Sequence, residues 1–249
     1  MNEDLIRVML SPPDLFTCKR VLAIQPHPDD NEVGIGGIIA RLTQAGIQVD
    51  YLTVTTGDLG SRTILPEELM QIRAKEVLAS GSLLGVENYR SCGLPDRMSL
   101  SEQELTCKIL PYIRELRPDG VLVPDPWLPY EGHTDHRLTG LAATAAFMAA
   151  GATNFPRGEQ VIAWEPKMIG YYFTVAPNTI VDVTETFDLQ FQAMACHESQ
   201  MNAQTLTLYR WWFFKKGREL AQGKGFALGQ GLKMLSPLHI HCFTDAQLI

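Results

Sequence analysis

The chain has 249 residues, 45% of them hydrophobic and 20% charged, with a formal net charge of -7. That length suits one α/β domain with a sizeable core. The acidic balance argues against nucleic acid as the partner, which calls for basic stripes, and no apolar run reaches the roughly 18 residues of a membrane span.

The start, MNEDLIRVML, is acidic where a signal peptide is basic, and no small-residue cleavage site follows a long apolar stretch. The expected location is cytoplasmic. Cys18, Cys92, Cys107, Cys196 and Cys242 are odd in number and include no CxxC pair. That pattern is neither a disulfide framework nor a thiolate zinc site. It fits free, mostly buried thiols in a reducing compartment.

Val21 to Gln25 is apolar almost throughout, as a central parallel strand is. The loop PHPDDNEVG follows, then a helix over Gly36 to Ala45, ended by Gly46. The strand QVDYLTVTT completes a βαβ unit, whose strands are parallel. Glu67 to Leu84 reads as a helix and Asn88 to Cys92 as a short strand. Ser101 to Leu116 is a helix with Ser101 as its cap and Glu104 placed for a capping box. Pro118 breaks the chain before the strand GVLVPDP, and Leu138 to Ala150 is an alanine-rich helix. KMIGYYF and NTIVDVT read as two further strands, Phe187 to Met201 and Thr205 to Gln222 as helices. The glycine-rich stretch Gly217 to Gly231 is expected as a surface loop. Strands alternating with helices mean a doubly wound sheet. No internal repeat, low-complexity segment or linker divides the chain.

In such a sheet, ligands bind beyond the carboxyl ends of the strands. Two loops there concentrate ligating residues: His27-Pro28-Asp29-Asp30 after the first strand, and His133-Thr134-Asp135-His136 after GVLVPDP. Hydrolytic zinc takes three N/O ligands and keeps one position for water, and a carboxylate beside the metal can take that water's proton. Adjacent Asp29 and Asp30 suit this division of labour. Capping of the next helix is the plain alternative for the aspartates, and solvation in a loop that for the histidines. Two clusters at strand ends together favour the site.

Gly34, Gly36 and Gly37 suggest a dinucleotide fingerprint. However, Ile39 stands where the third glycine belongs, and the doubly acidic loop repels a pyrophosphate. The glycines are expected instead to let the helix approach the sheet.

PHPDDNEVGIGG followed by GHTDHR resembles the LmbE/PIG-L family of zinc de-N-acetylases. PDGVLVPDPWLPYEGHTDHRLTG, YYFTVAPNTIVDVTE, ACHESQ and PLHIHCFTD are similar to the archaeal-type diacetylchitobiose deacetylase branch. The likeness runs from about Val21 to the C-terminus. It implies a single domain over residues 1–249, with a Rossmann-like, mainly parallel sheet and helices on both faces. It implies one zinc per chain held by His27, Asp30 and His136, Asp29 as general base, and His133 near the developing oxyanion. It also implies a C-terminal histidine reaching in from a neighbouring subunit of a hexamer; His239 holds that position by its spacing to Phe243, with His241 the alternative. Either Asp29 or His239 could return the proton to the leaving amine, and Asp135 could orient a histidine. Arg73 and Asp96 match sugar-contacting positions, although by themselves they read as a surface residue and a turn former. Thr134 departs from the usual proline of HPDH and removes no ligand.

Trp127 and Tyr130 could wall a sugar pocket or belong to the core. Tyr209 to Phe214 is too apolar for an exposed helix face and points to a subunit interface rather than the core. His197 reads as structural. The implied activity is hydrolysis of the N-acetyl group of GlcNAc-type sugars, such as diacetylchitobiose or GlcNAc, with a place in chitin degradation. The nearest rival substrate is a thiol-conjugate precursor of the mycothiol or bacillithiol kind, against which the PDPWLPYE run argues. A non-catalytic sugar- or nucleotide-binding module is the rival of another class, but no ligand and no base is missing.

Overall fold

The computed structural model of the chain describes residues 10–158 and 160–249. Among them, one sheet comprises β1 (Arg20–Gln25), β2 (Gln48–Thr55), β3 (Asn88–Leu94), β4 (Gly120–Pro124), β5 (Met168–Tyr172), β6 (Thr179–Asp182) and β7 (Gly229–Leu235). The strand order is β3-β2-β1-β4-β5-β7-β6. The strands β1 to β5 pair in parallel, whereas β7 runs antiparallel to both β5 and β6. The helices are α1 (Asp30–Gln44), α2 (Pro66–Leu83), α3 (Glu102–Leu116), α4 (Thr134–Ala149), α5 (Phe187–Ala195) and α6 (Ala203–Leu220). None of the described helices is long and apolar enough to cross a membrane.

The two-residue period of β1 divides the core. Val21 and Ala23 pack with Ile35, Ile38 and Ile39 of α1 and with Phe191 and Met194 of α5. Leu22 and Ile24 face the other way, onto Leu105 and Ile109 of α3 and Ala143 and Ala146 of α4. The expected fold, a mainly parallel sheet with helices on both faces, is the one observed. Ser101 and Glu104 form the expected capping box on α3, each accepting from the other's backbone N–H.

The helix after the first loop begins at Asp30 rather than Gly36, with a break at Ile35 (φ -143°, ψ 20°). Its first turn carries no apolar stripe because it buries polar side chains instead: Asn31 donates its N–H to Gln25 Oε1, and Glu32 accepts from Ser80. The glycines serve packing, as expected. A Cβ on Gly34 would stand 2.6 Å from Cδ2 of Tyr172 in β5. The helix expected over Phe187 to Met201 stops at Ala195, and the turn after it faces the cleft described below.

The expected surface loop Gly217 to Gly231 is a correction. Gly217 lies inside α6, and β7 starts at Gly229 and inserts between β5 and β6. Glycines hid the strand because the sheet needs them there: a Cβ at Gly231 would stand 2.8 Å from Cβ of Pro177.

The order reverses at β1, whose neighbours are β2 and β4. The crevice beyond the carboxyl ends of β1 and β4 is therefore the switch point where ligands bind in open α/β sheets.

Candidate active site

Both ligand-rich loops open into that crevice. The first turns straight from β1 into α1: the N–H groups of Asp29 and Asp30 donate to the carbonyl of His27, and the N–H of His27 donates to Asp30 Oδ2. The second ends at His133, the N-cap of α4, which places Asp135 and His136 in the first helical turn.

The carboxylate of Asp30 lies between two imidazoles. His27 Nδ1 is 3.1 Å from its Oδ2, and His136 Nε2 is 3.3 Å from its Oδ1. The other nitrogen of each ring faces a further carboxylate: His27 Nε2 lies 3.3 Å from Asp135 Oδ2, and His136 Nδ1 lies 3.3 Å from Glu131 Oε2. Asp135 is in turn held by the N–H of Arg97 at 2.8 Å. Among the described residues, two groups could hold a cation: His27, Asp30 and His136, and His27, His133 and Asp135. Within each, the ligand atoms lie within 4.8 Å of one another. Ligands about 2.1 Å from a tetrahedral ion stand about 3.4 Å apart. The 3.1 and 3.3 Å spacings, each to a different oxygen of Asp30, lie near that distance.

Asp29 turns the other way. Its Oδ1 accepts from Arg73 Nη2 at 2.9 Å, and Arg73 is further fixed by donating to the carbonyls of Pro28 and Gly57. Burial pushes the Asp29 carboxyl up to about 6; the Arg73 guanidinium opposes the rise, while the Asp30 charge adds to it. Burial disfavours the His27 imidazolium, but contacts with Asp135 and Asp30 outweigh that and raise its pKa to about 10. Asp30 is held far below the usual carboxylate range, because the flanking His136 and His27 overcome its burial. His133 moves down, through desolvation and the charges of His27 and His136.

A cleft of about 240 Å³ is lined by His27, Asp29, Asp30, Arg73, Asp96 and His133, together with Leu59, Gly60, Arg97 and Gln200. The structure thus gathers most of the expected residues. His136 and Asp135 stand beside the cleft through their contacts to Asp30 and His27. Arg73 is not the surface residue its helix suggests, being 3% exposed. Asp96 lines the cleft with both oxygens engaged, accepting from Thr55 Oγ1 and from the N–H groups of Gly57 and Leu59.

Two expected residues lie elsewhere. Trp127 does not line the cleft. It is 60% exposed, its N–H donates to Asp125 Oδ1, and its indole meets Tyr171 edge-on. His239, expected to serve a neighbouring subunit's site, is not at its own chain's cluster. Because β7 is antiparallel to β5, with Leu235 opposite Ile169, the chain leaves β7 at the end of the sheet away from His27. There His239 is 1% exposed, its Nδ1 accepts from the N–H of Ser236, and its ring packs on Phe243. The neighbouring His241 is the exposed histidine of this segment.

Sequence reasoning passed over Glu131, which also accepts the N–H of His133 at 2.7 Å. Its signal was a carboxylate two residues before the first histidine of HTDH. Also unassigned were Gln200 and Glu32, which lies in the first turn of α1 and forms a fully buried pair, 3.4 Å apart, with His197, the histidine read as structural. Glu32 is the next acidic residue after the Asp pair, but nothing in the spacing ties it to His197.

A family model described as PIG-L, GlcNAc-PI de-N-acetylase, matches residues 22–147. A diacetylchitobiose deacetylase of Thermococcus kodakarensis is 35% identical over 93% of this chain and 88% of its own length. A 1D-myo-inositol 2-acetamido-2-deoxy-alpha-D-glucopyranoside deacetylase of Rhodococcus jostii is 32% identical over 66% of this chain and 64% of its own. The structure of N,N'-diacetylchitobiose deacetylase from Pyrococcus horikoshii superposes with a TM-score of 0.90 at 30% identity, covering 99% of this chain and 97% of that one. A 4-carboxy-2-hydroxymuconate hydratase from Pseudomonas putida, at 19% identity and a TM-score of 0.74, shares the fold. Matched over half its length by the family model, and nearly end to end by a relative named as a deacetylase, this chain belongs to the PIG-L family of de-N-acetylases, hydrolases of the amide bond.

Proposed function

We propose that the chain releases acetate from a GlcNAc-type amino sugar, such as diacetylchitobiose or GlcNAc, with one zinc ion held by His27, Asp30 and His136. One observation carries the reading: Asp30 stands between two imidazoles, while the adjacent Asp29 faces the same cleft from a separate anchor on Arg73. Two nitrogens, one carboxylate and a carboxylate left outside the ligand set suit a hydrolytic zinc site. When bound, the ion supplies Lewis acidity to the acetyl carbonyl and to the attacking water.

The chain's own groups do the rest. Asp29, held by Arg73, takes the proton as water attacks the amide carbon. His133, which lines the cleft, would face the oxyanion that develops on the acetyl oxygen. Asp135 and Glu131 fix His27 and His136 from behind. Asp29 then returns the proton to the nitrogen as the C–N bond breaks. His239 lies away from the cleft of its own chain, so any part it takes would be in the site of a neighbouring subunit. Arg73 acts through Asp29, and Asp96 through the loop after β2.

The substrate class rests on the relatives' names, and the PDPWLPYE run favours a chitin-derived sugar over a thiol-conjugate precursor. The test measures acetate release from GlcNAc, diacetylchitobiose and a GlcNAc-inositol conjugate side by side. Fastest release from diacetylchitobiose or GlcNAc supports the reading, and release from the inositol conjugate only overturns the substrate assignment.

A second copy of the chain is proposed to cover α6, whose Trp211 is 64% exposed beside exposed Leu208, Trp212 and Phe214. The proposed assembly is a hexamer, in which His241 is the histidine of the C-terminal segment accessible to a neighbour. Light scattering decides it: a monomer at working concentration contradicts the assembly.

A further inference from the structure

His136 is fixed at its edges, by Asp30 at Nε2 and Glu131 at Nδ1. Its face is also covered. The ring of Phe173 stacks on the imidazole with centroids 6.1 Å apart and planes 6° from parallel. That is an offset stack of ordinary aromatic dimensions.

The backbone holds Phe173 there against its preference. Its φ is 57°, in the left-handed region that bulky side chains avoid and glycine or asparagine occupies freely. Strain of this kind persists where the surroundings over-determine it, and it gathers at functional sites. The surroundings here are explicit. Tyr172, the preceding residue, is locked by donating its hydroxyl to the carbonyl of Ile24 and by accepting the N–H of Asp125 at its own carbonyl. The Phe173 ring meets that of Tyr172 edge-on at 5.0 Å. On α1, Gly34 leaves room for both rings; a Cβ there would stand 3.1 Å from Cζ of Phe173. Phe173 also lines an apolar cavity of about 490 Å³ with Val175, Phe187, Trp212 and Phe213.

We propose that Phe173 is a positioning residue for the metal: its ring sets the plane of the His136 imidazole and so aims the Nε2 lone pair. The lone pair lies in the ring plane. A rotation of the imidazole about its Cβ–Cγ bond would swing Nε2 off any ion shared with Asp30 and His27, and the parallel phenyl face blocks that rotation. This inference rests on the proposed ligand set of His27, Asp30 and His136.

The test is zinc affinity, read by competition against a chromophoric chelator, together with thermal melting of the metal-free protein. Phe173→Leu keeps the apolar volume and the strained backbone but loses the flat face. Its zinc affinity is expected to fall about 10–100-fold, the range for loss of a group that orients a ligand. Phe173→Tyr keeps the flat face and is expected to bind within about threefold of the wild type on that same scale. Phe173→Gly relieves the backbone while losing the ring and should likewise bind zinc weakly; it stands in if the leucine variant does not fold. Zinc bound by the leucine or glycine variant as tightly as by the wild type, or a tyrosine variant as weak as leucine, overturns the inference and leaves the ligand set standing. A wild-type chain that binds no zinc overturns the ligand set and this inference together.

Discussion

Arg73 Nη2 lies 2.9 Å from Asp29 Oδ1, joining the middle of α2 to the loop after β1 across 44 positions of sequence. The guanidinium is buried and also donates to the carbonyls of Pro28 and Gly57. It therefore places Asp29 and also restrains its protonation, since its charge works against the rise that burial causes.

Replacing Arg73 by methionine should thus move the acid limb of the kcat/KM profile to higher pH. The sign follows directly: a carboxylate that loses a cation binds its proton more tightly, so the base is disabled over more of the pH range. Breaking a buried pair also costs about 3–5 kcal/mol of stability. A pH–rate profile and a denaturant titration check both. An acid limb that stays in place shows that Arg73 does not act through Asp29.

Glu131 offers a cleaner perturbation. Glu131→Gln keeps an acceptor for the N–H of His133 but removes the charge facing His136 Nδ1. Zinc affinity is expected to fall about 10–100-fold, as for other partners of metal-bound histidines. Competition titration measures it, and affinity equal to the wild type would mean that Glu131 only shapes the loop.

The protonated imidazoles of the metal-free protein make zinc binding pH-dependent. His27, raised to about 10, carries a proton that the ion must displace. Below that pH, the apparent affinity should tighten about tenfold per pH unit for each proton released. The same raised pKa contributes stability that is fully present below the ordinary histidine value of 6.5 and is lost as pH rises through about 10. Melting temperatures of the metal-free protein should therefore fall between pH 7 and 10, and saturating zinc should flatten that fall. Affinity independent of pH would exclude His27 as a ligand.

Much of this was legible in the residues, for identifiable reasons. β1 and β4 are apolar runs, and α3 announces its start through Ser101 and Glu104, so the sheet's centre and the loops at its switch point followed from pattern. The histidines and aspartates of those loops are dense enough to stand out. What stayed hidden was set by tertiary context. β7 is rich in glycine because Pro177 and Ile180 crowd it, so it reads as a loop. The first turn of α1 buries polar groups, which erases its stripe. Resemblance places His239 as a histidine for a neighbouring subunit's site; the antiparallel course of β7 takes it away from its own chain's cluster, a fact of topology that spacing does not encode. Arg73 reads as a surface residue because its burial depends on the loops of Pro28 and Gly57, distant in sequence.

The most direct measurement is acetate release from diacetylchitobiose by zinc-loaded Asp29→Asn, with metal content determined on the same sample. The substitution leaves His27, Asp30 and His136 in place and removes only the group assigned to take the water's proton. The account predicts one zinc per chain and a rate about 10²–10⁴-fold below the wild type, the usual worth of general acid–base catalysis. A variant that keeps its zinc and turns over at the wild-type rate would contradict it.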